Sequence, residues 1–204
     1  MNLEKVRNAL KGLLTPLVSL LVKIGVTPAG ATLAGLFITL CASWLVYRGS
    51  FLAGGLILIA GSLFDAVDGS IARMTGSVSK GGAALDSSLD RVGEILIFTA
   101  VLAGKAGNEH DSLLFIVPAA MGGSLMVSYV RARAEGLGIE CKVGLFTRTE
   151  RLVLLIAGIV LASLLPWGTG VILWSCAVVA AGSWFTALQR LVKVTVDGRG
   201  LPLD

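Results

Sequence analysis

Six stretches of this chain are each apolar over about 20 residues, the length a helix needs to cross the hydrocarbon core of a bilayer. They run approximately over 29–48, 52–72, 85–104, 112–132, 150–166 and 169–191. No other feature restricts the fold as much. An isolated strand cannot satisfy its backbone N–H and C=O groups in lipid, whereas a helix satisfies them internally. Composition agrees: 55% of the 204 residues are hydrophobic and 15% are charged, where a soluble domain carries roughly a quarter charged residues. Mean hydropathy is +0.85. The expected fold class is therefore an all-α integral membrane protein, with six transmembrane helices and one compact domain.

Breaks between the runs are predicted at Gly49-Ser50, over the polar 105–111 stretch, and at Pro166-Trp167-Gly168. Residues 1–25 read differently. Glu4, Lys5, Arg7 and Lys11 alternate with Val6, Leu10, Leu13 and Leu14 at helical spacing, which predicts an amphipathic helix in the membrane interface, broken near Pro16. The expected organisation is this interfacial segment over 1–25, a six-helix domain over 26–194, and a tail over 195–204. The N-terminus is too charged, and lacks the apolar core, to read as a cleavable signal peptide.

With six spans both termini share a side. Every lysine and arginine except Arg48, Arg91 and Lys105 falls in the segments on that side. Cationic loops stay in the cytoplasm, so both termini are expected there, in a multi-pass protein of the cell membrane.

Against this background the stretch FDAVDGSIARMTGSVSKGGAALDSSLDR stands out. It places Asp65, Asp68, Asp86 and Asp90, four of only 13 acidic residues, at the cytoplasmic ends of the second and third runs. Residues three or four apart share a helix face, so Asp65 with Asp68, and Asp86 with Asp90, form two acidic faces. The glycine-rich link from Gly69 to Gly82 is a turn that brings them together. A single intramembrane aspartate can be a helix-pairing contact or a cap; four at this spacing are too costly to desolvate for that role. Protonation or divalent metal relieves the repulsion. An all-oxygen set suits Mg²⁺ or Mn²⁺ rather than zinc, and four carboxylates can hold two ions, the device used for displacement at phosphorus. Gly69 and Ala72 leave a groove where a bulky ligand can approach, and Arg73 is placed to meet a phosphate. A cation transporter with an acidic site remains a rival reading.

Other chemistry is thinly represented. Cys41, Cys141 and Cys176 are scattered, without a Cys-x-x-Cys pair, and read as structural filler. His110, the only histidine, lies in a polar loop and is expected to be solvated. A carboxylate is left as the general base. No nucleic-acid partner is expected.

The pattern D-x2-D-G-x2-A-R-x8-G-x3-D-x3-D, carried here by Asp65, Asp68, Gly69, Ala72, Arg73, Gly82, Asp86 and Asp90, resembles the signature of the CDP-alcohol phosphotransferases. The six runs and the N-terminal segment extend the resemblance over the whole chain. It implies transfer of a phosphoryl-linked group from a CDP-activated donor to an alcohol, releasing CMP. It implies that Asp65, Asp68, Asp86 and Asp90 bind metal, and that Asp90 is also the general base. It places the CDP-lipid against Pro28, Ala29, Gly30, Ala31, Gly69, Arg73 and Ser79, the first four within the segment from Thr27 to Thr32 that opens the first run. The family often has Asn where this chain has Ala29, so only backbone contacts carry over there. A homodimer is also implied.

A second basic group bears on the acceptor. SYVRARAEG, FTRTERL and LQRLVK bring Arg131, Arg148, Arg151 and Arg190 to the level of the aspartates. Arginine forks suit phosphate, and serine, choline or free inositol would not need them. The pattern is similar to the prokaryotic phosphatidylinositol phosphate synthases, which implies that Ser128, Arg131, Arg151 and Arg190 hold inositol phosphate. Arg131 stands where that group commonly has Lys. Glycerol 3-phosphate is the alternative acceptor, and CDP-archaeol the alternative to CDP-diacylglycerol.

Overall fold

The computed structural model describes residues 15, 16 and 18–199, except for the side chains of Asp65 and Ala66. Residues 1–14 of the expected interfacial helix lie outside that set. The described residues form helices and no strands. Seven helices follow in order: α1 Pro28–Tyr47, α2 Phe51–Met74, α3 Lys80–Ala103, α4 Lys105–Glu109, α5 Leu113–Gly136, α6 Arg148–Leu164 and α7 Gly170–Asp197. Before α1, residues 18–23 are also helical.

Four of these, α1, α2, α5 and α7, are long and apolar enough to cross a membrane. The expectation of six spans is met to that extent. The other two carry too much charge or too little length. Helix α3 includes Lys80, Asp86, Asp90, Arg91 and Glu94. Helix α6 has 17 residues and opens on Arg148, Glu150 and Arg151. The breaks at Gly49-Ser50 and Pro166-Trp167-Gly168 fall where expected. The polar 105–111 stretch does not stay a loop, because α4 forms within it. Helices α3 and α7 also run past the expected apolar limits, since a helix continues into polar residues as long as its backbone bonds do.

Contacts divide the chain into two units: residues up to Cys41 with Ile57–Gly93, and Ala42–Leu56 with the residues from Glu94 onward. The first unit has a small apolar core in which Val18, Ala31, Val67 and Ile71 are buried, with Leu21, Val22 and Val26 packed against them.

Its two junctions share one construction. The helix ending before Gly25 closes with Gly25 N–H on the Val22 carbonyl and Val26 N–H on the Leu21 carbonyl. Helix α2 closes in the same way, with Ser77 N–H on the Ala72 carbonyl at 3.0 Å. Both closures need a left-handed residue, which glycine supplies without steric cost; φ is +80° at Gly25 and +65° at Gly76. A hydroxyl then caps the next helix. Thr27 Oγ1 accepts from Gly30 N–H at 3.1 Å, and Ser79 Oγ accepts from Gly82 N–H at 3.0 Å, the bond favoured at an N-terminus. Pro28 follows Thr27 as the first helical residue, where its missing N–H costs nothing.

In the second unit α5 and α6 both pack on α7. Small residues allow the close approach, as is usual between helices in membranes. A Cβ at Gly158 would stand 2.1 Å from Ser175 Oγ, and one at Gly123 would stand 3.0 Å from Ser183 Cβ. The link between α5 and α6 is tied to α7 through Phe146 N–H, which donates to Thr186 Oγ1 at 3.0 Å.

Candidate active site

The two junctions of the first unit open onto one cleft of about 320 Å³. Helix α1 contributes Pro28, Ala29 and Thr32, and α2 contributes Asp68, Gly69, Ala72 and Arg73. The link and α3 contribute Ser77, Val78, Ser79, Gly82, Ala83, Leu85 and Asp86. Five of the seven residues expected against the CDP-lipid therefore line one space. Ala31 does not; it is turned into the apolar core, 1% exposed. Gly30 does not line it either, and its N–H is taken by the Thr27 cap.

Asp68 is only 5% exposed. Its Oδ2 accepts from Thr32 Oγ1 at 2.8 Å, and its Oδ1 accepts from Gly69 N–H. Asp86 shares the cleft, and Asp90 follows one turn later on α3, within 3.8 Å of Arg91. Arg73 lies over the bare backbone of Gly69, where a Cβ would meet its guanidinium at 3.4 Å, and it donates to Ser70 Oγ at 3.0 Å. Ser79 keeps a proton to donate while it accepts the cap bond. Ser77, Val78 and Leu85 are cleft residues that the sequence reading missed; nothing in a one-dimensional pattern distinguishes them from ordinary turn and helix-face residues.

Among the described residues no three acidic, histidine or cysteine side chains gather closely enough to hold an ion by themselves, a set that excludes the side chain of Asp65. The donors that line the cleft are nonetheless carboxylate oxygens, Asp68 and Asp86, beside a guanidinium and two helix N-termini. Their chemistry fits a hard divalent cation together with an anionic ligand.

The residues expected at the acceptor phosphate all belong to the second unit, where most already have internal partners. Arg190, 4% exposed, donates from Nε to the Val143 carbonyl at 2.8 Å and from Nη1 to the Val127 carbonyl at 2.7 Å. Arg151, also 4% exposed, donates to the Phe146 carbonyl at 3.0 Å and pairs with Glu94 at 3.3 Å. Arg131 is exposed and pairs with Glu135 at 2.8 Å. Ser128 Oγ donates to the Ser124 carbonyl at 3.3 Å. Glu94 is the residue overlooked in the sequence. It is 8% exposed, and its Oε1 faces both Arg151 and Arg148, the latter at 3.8 Å. Ser124 Oγ donates to its other oxygen. The signal was present: Glu94 continues the four-residue spacing of Asp86 and Asp90 along one helix face.

His110 is not simply solvated. It is half-buried, with Nε2 3.1 Å from Thr169 Oγ1, which also donates to Glu109. Cys141 and Cys176 are buried and free, whereas Cys41 is exposed.

The family model for CDP-alcohol phosphatidyltransferases matches residues 26–188. The chain belongs to that family. It is therefore an enzyme, and the transporter reading gives way. This phosphatidyltransferase is 38% identical to archaetidylinositol phosphate synthase of Methanothermobacter thermautotrophicus over 164 residues, 80% of each chain. It is 35% identical to phosphatidylinositol phosphate synthase of Streptomyces avermitilis over 191 residues, covering 89% of this chain and 77% of that one. It is similar to the crystal structure of Mycobacterium tuberculosis phosphatidylinositol phosphate synthase with CDP-DAG bound, with a TM-score of 0.81 and 29% identity, covering 88% of this chain and 92% of that chain. The same Mycobacterium enzyme in complex with manganese and citrate gives a TM-score of 0.84 at 28% identity, covering 93% and 92%.

Proposed function

We propose that this phosphatidyltransferase moves the phosphatidyl group of a CDP-diacylglycerol-type lipid onto inositol 1-phosphate, releasing CMP. The observation that carries the reading is the shared cleft, in which Asp68, Asp86, Gly69, Arg73 and Ser79 line one space with the start of α1. A CDP-lipid presents a diphosphate, and a guanidinium, two helix N-termini and a bare glycine surface form a cradle for it. The names of two relatives support this choice of acceptor: one is an archaetidylinositol phosphate synthase and the other a phosphatidylinositol phosphate synthase. CDP-archaeol is accordingly the alternative donor.

In this reading Asp65, Asp68, Asp86 and Asp90 hold Mg²⁺ or Mn²⁺, two ions in all. Bound there, the ions would spread the negative charge of the diphosphate and its developing leaving group. Pro28, Ala29, Gly69, Arg73 and Ser79, which line the cleft, bind the donor. Asp90 accepts the proton of the acceptor hydroxyl. The hydroxyl oxygen forms a bond to the lipid-bearing phosphorus, and the bond from that phosphorus to the CMP oxygen breaks. Ser128, Arg131, Arg151 and Arg190 take the acceptor's own phosphate, to which a guanidinium fork is matched. We further read α3 and α6 as the remaining two spans, residues 1–25 as an interfacial segment, both termini and the site as cytoplasmic, and the enzyme as a homodimer.

The test is an acceptor panel. Purified enzyme with CDP-diacylglycerol and Mg²⁺ is given inositol 1-phosphate, glycerol 3-phosphate, inositol or serine, and CMP release is measured. Inositol 1-phosphate should give the highest kcat/KM. Preference for glycerol 3-phosphate would make the enzyme a phosphatidylglycerophosphate synthase. Preference for an unphosphorylated alcohol would overturn the arginine assignment.

A further inference from the structure

One contact in the first unit joins two elements that the catalytic pattern does not connect. Thr32, in the first turns of α1, donates its hydroxyl to Asp68 Oδ2 on α2 at 2.8 Å, across 36 residues of sequence. Both side chains are more than nine-tenths buried, and both line the cleft. A second acceptor is within reach, since Thr32 Oγ1 is also 3.0 Å from the Pro28 carbonyl. A threonine has one proton to give, and a carboxylate is the stronger acceptor. With Gly69 N–H on Oδ1, each oxygen of Asp68 accepts from a protein donor. Two such donors fix the plane of the carboxylate, and an ionised carboxylate offers about four lone-pair sites in all.

We propose that Thr32 is a positioning residue for Asp68, orienting its carboxylate toward the divalent cation and tying the donor-binding start of α1 to the metal-binding end of α2. Outer hydrogen bonds of this kind hold ligand groups in register, and their loss typically lowers metal affinity by about 10- to 100-fold. The inference rests on the reading of Asp68 as a metal ligand.

The experiment is Mn²⁺ titration of purified, EDTA-treated enzyme by electron paramagnetic resonance, without substrate. It is paired with thermal unfolding in EDTA and in saturating Mn²⁺. Thr32→Val keeps the branched shape and removes the hydroxyl; it should weaken Mn²⁺ binding about tenfold or more. Thr32→Ser restores the donor and should bind within about twofold of the parent, a much smaller loss than removal of the outer bond. Thr32→Ala serves if the valine variant does not fold, with the same expected loss. Asp68→Asn separates the two layers. If it binds Mn²⁺ like the parent, Asp68 is no ligand and the inference falls with that reading. If it loses Mn²⁺ while Thr32→Val and Thr32→Ala bind like the parent, the positioning role alone is overturned. A Thr32 that served only packing would lower the unfolding temperature in EDTA and leave the Mn²⁺-induced rise unchanged, which would also overturn it.

Discussion

Replacing Arg190 by Met tests whether this buried arginine first holds the protein together. The guanidinium bonds two main-chain carbonyls, Val143 in the α5–α6 link and Val127 in α5, from its place on α7. Methionine retains the apolar stem but leaves both carbonyls without that donor. A hydrogen bond from a charged donor is worth about 1.5–3 kcal/mol, so losing two costs about 3–6 kcal/mol. Removing a buried cation returns part of that, because its desolvation penalty disappears. A net loss of about 3 kcal/mol follows, and for a chain of this size each kcal/mol lowers Tm by roughly 2–4 °C. The expected shift is thus about 6–12 °C, read by tryptophan fluorescence in detergent without substrate. Arg190→Lys keeps the charge but not the fork, and should fall between parent and Met. An Arg190→Met variant with a Tm within about 2 °C of the parent, far below the loss worked from its two bonds, would refute the reasoning. If it also lost acceptor-dependent CMP release, Arg190 would be reserved for the ligand.

Four further outcomes follow from the same structure. Asp90→Asn should abolish CMP release at any acceptor concentration while leaving CDP-lipid binding measurable by calorimetry, because an amide cannot take the hydroxyl proton. Gly69→Ala should be tolerated in the fold, since its Cβ would meet Arg73 at an ordinary 3.4 Å. Helix propensity adds up to about 1 kcal/mol of stability, while the filled groove raises the KM for the CDP-lipid. Glu94→Gln should raise the acceptor KM more than the donor KM in steady-state kinetics, because Arg148 and Arg151 lose their shared counter-charge. Gly182→Leu should sharply reduce folded yield in gel filtration, since even a Cβ there would stand 2.7 Å from the Phe146 ring.

The helices and the reacting stretch could be read in one dimension because each follows from a local cost. Lipid cannot hydrate a backbone, so 20 apolar residues must close their own hydrogen bonds. Four aspartates at helical spacing in such a chain must meet a cation or a proton. Those rules single out Asp65, Asp68, Asp86, Asp90 and Arg73 as candidates without any coordinates, and Asp68, Asp86 and Arg73 line one cleft. They do not reach what stands opposite a residue. Arg151 and Arg190 read as phosphate forks, with no sign of their internal partners. The fold surrounds them with Glu94 and with the carbonyls of Phe146, Val143 and Val127. Ala31 sat within an expected binding segment, and the rotation of α1 turned it into the core with Val18 and Ile71. Thr32 belonged to the segment expected against the CDP-lipid, but its bond to Asp68 could be read only once α1 lay against α2.

Periodicity and desolvation act along the chain, so the order of residues is enough to read apolar helices and one acidic, glycine-bordered stretch. Which charges are spent inside the protein and which line the cleft emerges only when the helices pack. That depends on how each helix is rotated about its axis, which packing between distant residues sets.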